Sequence, residues 1–111
     1  MAQVQVLINQ AGPLPITQKF TSDIQMEAML FVAGSVWCND ANQMIGIEVL
    51  LDGNALGAAE IFSNGPSTHR AVVPQYIPID LTLGGHTLTL QASTTETVSD
   101  YNDFYRVLLH I

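Results

Sequence analysis

The sequence predicts an all-β fold, an antiparallel two-sheet β-sandwich, on three observations. Apolar residues recur with period two in six separate runs. Those runs are rich in Val, Ile, Thr and Tyr, the types that fit a pleated, half-buried surface. Residues that set tight turns lie between them: Gly12-Pro13, Asn39-Asp40, Asp52-Gly53-Asn54, Asn64-Gly65-Pro66 and Gly84-Gly85.

Taken in order, Val4, Val6 and Ile8 share one face of the first strand. Ile24, Met26, Ala28, Leu30 and Val32 share a face of the second, with Gln25, Glu27, Met29 and Phe31 opposite. Thr21 to Leu30 also admits a helix, with Ser22 as cap, but the β-rich surroundings favour strand. Ile45, Ile47, Val49 and Leu51 form the third set. Asp52-Gly53 is the dipeptide of a type I′ turn, whose central residues both need positive φ, and it predicts a hairpin from Ile45–Leu51 into Ala55–Phe62. Ile77, Ile79, Leu81 and Leu83 follow, and Gly84-Gly85 is expected to join them by a hairpin to His86–Ala92. Tyr105, Val107, Leu109 and Ile111 face inward on the last strand. Seven or eight short strands in 111 residues make one domain, 1–111, with no α/β unit.

Composition narrows the function classes. Only 12% of residues are charged and the net charge is −7. Lys19, Arg70 and Arg106 are the only cations besides histidine. Nucleic acid needs several cations on one face, so no nucleic-acid partner is expected. Anionic membrane surfaces are disfavoured for the same reason. Met1 to Ile8 alternates, unlike a signal peptide. Ala28 to Cys38 is too short to span a bilayer. Cys38 is the single cysteine, so no disulfide can close within the chain.

Low charge implies either surface hidden in an oligomer or a neutral polar surface for a neutral ligand. Met29 and Phe31 strengthen the first reading, because they make the second strand apolar on both faces. A homo-oligomer is therefore expected. The other explanation is a one-residue register slip at a bulge near Gly34.

No catalytic group is predicted. His69 stands beside Ser67 and Thr68, the residue types of a small hydrolase, but no third partner is identifiable and a polar loop end explains it. His86 shares parity with Leu88 and reads as a hydrogen-bonded structural residue, and His110 as an exposed one. Three scattered histidines lack zinc spacing. Asp100, Asn102 and Asp103 make an oxygen-rich cluster without EF-hand spacing, which Asx turns explain. Neither a metal nor another cofactor is expected.

Aromatic rings among Asn and Asp are the candidate ligand platform, because sugar rings stack on aromatic faces while amides and carboxylates bond hydroxyls. Trp37 with Asn39 and Asp40 is one such set, and Tyr101 with Asn102 and Asp103 the other. Tyr76 and Tyr105 are further candidate platforms, and the competing reading of Trp37 is a core residue of the sandwich.

Three segments carry a family likeness. Leu81-Thr-Leu-Gly-Gly-His-Thr-Leu-Thr-Leu-Gln91 and Ser99-Asp-Tyr-Asn-Asp-Phe-Tyr-Arg-Val-Leu-Leu109 resemble the closing strands of jelly-roll carbohydrate-binding modules, and of lectin-like sandwiches generally. Ile47-Glu-Val-Leu-Leu-Asp-Gly-Asn54 is similar to their strand-plus-turn segment. The opening acidic motif of the best-known modules is missing from the N-terminal half. The resemblance implies a jelly-roll sandwich and a non-enzymatic, lectin-like domain that binds a neutral carbohydrate. A structural subunit of a phage-type virion or fibre is the alternative, and a small hydrolase using His69 a third reading.

Overall fold

A computed structural model describes residues 3–111. Nine strands run in the order β1 (Val4–Ala11), β2 (Ile16–Ser22), β3 (Met26–Val36), β4 (Gln43–Leu51), β5 (Asn54–Ser63), β6 (Arg70–Ala71), β7 (Gln75–Leu81), β8 (Gly84–Ala92) and β9 (Phe104–His110). No helix occurs among the described residues, so Thr21 to Leu30 is not helical.

One sheet is ordered β1-β9-β3, with β7 and β6 pairing with β3 beyond it. The other is ordered β2-β8-β4-β5. Every pairing is antiparallel. The two sheets face each other across one core, as a jelly-roll sandwich does. Leu30, Val32, Ile45, Ile47, Val49, Leu88, Leu90, Tyr105 and Val107 are wholly buried there.

Asp52 and Gly53 have φ of 52° and 83°, so the type I′ hairpin between β4 and β5 forms as expected. It is the only hairpin among the described residues. The link from β7 to β8 is instead a corner between sheets, since β7 pairs with β3 while β8 pairs with β2 and β4. Gly84, with φ of 113°, turns that corner. Leu83 sits in the bend and is exposed rather than inward. Ile24 likewise lies in the exposed link before β3.

Two registers differ from simple alternation. In β1 the pairing with β9 shifts between Val6 and Ile8, so Leu7 is an extra residue. That bulge turns Leu7 and Ile8 inward and Val4 and Val6 outward. β3 has no such shift. Gly34 stays in the ladder, paired with Tyr105, at a position where a Cβ would lie 2.7 Å from the Tyr105 ring and 2.9 Å from the Phe104 carbonyl. Met29 and Phe31 therefore do face outward, opposite buried Leu30 and Val32.

β3 and β4 both have their Trp37-side ends at one extremity of the sandwich, the loop end. The Asp52 turn and the β7–β8 corner lie at the opposite extremity, the hairpin end.

Candidate functional site

The loop end gathers segments far apart in sequence. Trp37 leaves β3 and bridges Val98 through paired backbone bonds, Trp37 N–H to the Val98 carbonyl at 2.9 Å and the reverse at 2.8 Å. The segment before β9 is thereby fixed beside Trp37. Within that segment Asp100 Oδ1 accepts from Asn102 N–H at 2.8 Å, an Asx turn of the kind the sequence implies.

Asp103 is the anchor. It is wholly buried, and an ionised carboxylate is tolerated there only with its oxygens occupied. Ser35 Oγ donates to Oδ1 at 2.7 Å, His69 Nδ1 lies 2.7 Å from the same oxygen, and Asp100 N–H donates to Oδ2 at 2.9 Å. The Asp103 carbonyl also accepts from Gly12 N–H at 3.1 Å. One carboxylate thus ties together β3, the loop before β6 and the loop before β9.

His69 is half-exposed. Its hydrogen bond to Asp103 and the nearby Asp103 and Asp100 carboxylates raise its pKa against the opposing effect of partial burial. Its ring lies 5.8 Å from that of Trp37, tilted. Nε2 points to Asp100 at 4.0 Å, and among the described residues no hydroxyl bonds to it. Ligand atoms of His69, Asp100 and Asp103 lie within 4.8 Å of one another, yet the Asp103 oxygens already take protein donors.

The predicted platform residues divide by exposure. Tyr101 is 81% exposed, and its ring passes above Gly12, where a Cβ would lie 3.7 Å from Cε1. Asn102 is exposed beside it. Trp37 is half-buried, and its Nε1 is buried without a partner. Asn39 and Asp40 are exposed and line a cleft of about 190 Å³ with Thr95, Glu96 and Val98. The structure therefore brings the Trp37 set and the Tyr101 set to the same end of the sandwich. Tyr105 is wholly buried, against Gly34, and is no platform; burial of its hydroxyl raises its pKa. Tyr76 lies outside this end, on the outer face of the β3 sheet. His110 is half-buried there rather than exposed, packed against Tyr76 and Phe31.

The sequence missed one partnership at each end. His69 and Asp103 are 34 residues apart, as are His86 and Asp52. His86 is buried, as its parity predicts. Its Nε2 bonds the Thr82 carbonyl and its Nδ1 bonds Asp52, both at 2.7 Å. Both partners only accept, so both ring nitrogens donate and the ring is an imidazolium. The Thr82 bond and the Asp52 bond raise its pKa, while the His86 bond and the Thr87 N–H lower that of Asp52.

No protein-family model matches the sequence, and no curated protein matches it. Solved structures do match. A family 35 carbohydrate-binding module from an environmental isolate aligns over 88% of this chain and 67% of its own, with 13% identity and a TM-score of 0.52. The family 35 module from Cellvibrio japonicus Abf62 aligns over 100% of this chain and 93% of its own, with 15% identity and a TM-score of 0.53. The chain shares its β-sandwich fold with these modules. The same sandwich also occurs inside larger proteins: dimeric latent PorU from Porphyromonas gingivalis aligns over 98% of this chain but 12% of its own, at 11% identity and a TM-score of 0.62. At these identities the likeness concerns the fold.

Proposed function

We propose that this chain is a non-enzymatic binding domain that recognises a neutral carbohydrate at the loop end and works as a homo-oligomer. The observation that carries the reading is Tyr101, an 81% exposed ring presented among Asn and Asp side chains on a segment fixed from beneath by buried Asp103. Tyr101 offers its face to a sugar ring. Asn102, Asn39 and Asp40 supply hydroxyl partners, and half-buried Trp37 adds a second aromatic surface at the same end. Asp103 acts as a positioning residue, because its oxygens are already bonded within the protein. The fold shared with carbohydrate-binding modules supports this reading. Oligomerisation would multiply weak single sites into useful avidity.

Titration calorimetry against a panel of neutral oligosaccharides tests it. Tyr101→Ala is expected to weaken binding about tenfold, the loss of one stacking contact, with an unchanged circular dichroism spectrum. Unaltered affinity in both Tyr101→Ala and Trp37→Ala would remove the loop end as the site. An assembly subunit is the second reading, favoured by the outer face of the β3 sheet.

A further inference from the structure

We propose that the outer face of the β1-β9-β3-β7 sheet is a self-complementary surface on which a second copy of this chain packs face to face about a two-fold axis running across the strands. The inference rests on the homo-oligomeric half of the proposed function and is independent of sugar recognition.

The strand registers place outward residues in four consecutive rows. One apolar row crosses the sheet as Val6, Leu108, Phe31 and Tyr76. The next is Val4, His110, Met29 and Pro78. Val4, Val6 and Tyr76 are each more than half exposed, and Phe31 packs its ring 5.1 Å from that of Tyr76. The bulge at Leu7 is what extends both rows onto β1, because without it Val4 and Val6 would point inward. A contiguous apolar sheet face of this kind marks an interaction surface.

Charge flanks the two rows on either side. Beyond Met29 and Pro78, Glu27 lies directly opposite Asp80. Like charges in register repel, and among the described residues no cation pairs with either. Beyond Phe31 and Leu108 comes Arg106, paired in register with Asn9 and Ala33. Among the described residues Arg106 has no carboxylate partner and rests 5.6 Å above the Phe104 ring.

This order decides the occupant. Successive rows are two residues apart, about 6.8 Å. An axis between the Phe31 and Met29 rows places the acidic row about 10 Å to one side and the Arg106 row about 10 Å to the other. Rotation about that axis superposes the Phe31 row on the partner's Met29 row. It also brings Arg106 opposite the partner's Glu27, one strand over, and relieves the Glu27–Asp80 repulsion twice. Residue i then meets residue j and j meets i, as an isologous contact requires. Two full rows and two partial ones cover about 400 Å² of each copy, the size of a weak, transient contact, so a concentration-dependent dimer is expected.

Sedimentation equilibrium of the intact chain from about 1 to 500 μM tests for such a contact. The expected result is a monomer–dimer equilibrium that weakens with salt. Leu108→Glu should weaken it at least a hundredfold, and Arg106→Glu at least tenfold. Adding Glu27→Arg and Asp80→Arg to Arg106→Glu should restore the dimer, a rescue that misfolding cannot imitate. A chain monomeric throughout overturns both this inference and the oligomeric reading. An oligomer unaffected by Leu108→Glu overturns the face while leaving oligomerisation standing. Loss of oligosaccharide binding in Phe31→Ala, with no change in mass, would make the face a sugar platform instead.

Discussion

At the loop end a buried carboxylate, Asp103, holds a half-exposed histidine; at the hairpin end a buried histidine, His86, holds a half-exposed carboxylate. Both contacts are 2.7 Å long, yet they do different work. A buried carboxylate accepts from several donors at once, so Asp103 gathers three chain segments and leaves their outer surfaces free. A buried imidazolium donates only twice, so His86 clamps one turn to one corner. The end organised by the acceptor is the one that presents an exposed aromatic ring. The end organised by the donor is closed on itself.

The two carboxylates are therefore expected to differ in weight. Asp103→Ala strands Ser35 Oγ, His69 Nδ1 and the Asp100 N–H, and is expected to cost about 3 kcal/mol in urea unfolding. Asp52→Ala strands the buried His86 Nδ1–H and the Thr87 N–H, and is expected to cost about 2 kcal/mol, softened because water reaches the carboxylate side. Equal losses would break the comparison.

Solution pH sharpens it further. The raised pKa of His86 means that its contribution is complete below 6.5, its ordinary value, and fades as pH rises through the folded value. The lowered pKa of Asp52 means that its contribution is complete above 3.8 and fades as pH falls through the folded value. The clamp is strongest between those two values. Urea midpoints measured across pH 5 to about 9 should decline on the alkaline side, and His86→Leu should flatten most of that decline. A slope unchanged in His86→Leu would assign the decline to His69 instead. The smallest effect is expected for His69→Ala, under about 1 kcal/mol near neutral pH, since Ser35 Oγ and the Asp100 N–H still serve Asp103.

Much of the fold was legible because strands announce themselves by parity. Leu30 and Val32 share one parity, as do His86 and Leu88, and Val107 lies on the inward parity of the last strand; all are buried, and Asp52-Gly53 forms the turn its residue types predict. Parity failed where one residue was inserted: nothing in Val4 to Ile8 marks Leu7 as extra, because the bulge is set by its pairing with β9. Parity also cannot say which sheet a strand joins, so the β7–β8 corner read as a hairpin. Parity does not reveal β2, because Thr17, Gln18 and Lys19 leave little alternation around Ile16 and Phe20. At the candidate site, residue types pointed to Trp37 and Tyr101, and the fold gathers their segments at one end. The buried role of Asp103 was invisible, since its partners Ser35 and His69 lie 68 and 34 residues away.

The single hairpin has a kinetic consequence. Apart from β4–β5, and the step from β6 to β7 along β3, every link carries the chain from one sheet to the other, and β1 finds its partner only in the last strand. Closing such long loops loses entropy before any contact repays it. The Asp52-Gly53 turn offers the one early, local nucleus, while the β1–β9 seam must wait for nearly the whole chain. Folding on the order of milliseconds to seconds follows from that topology, with the terminal strand pair as the last part to lock.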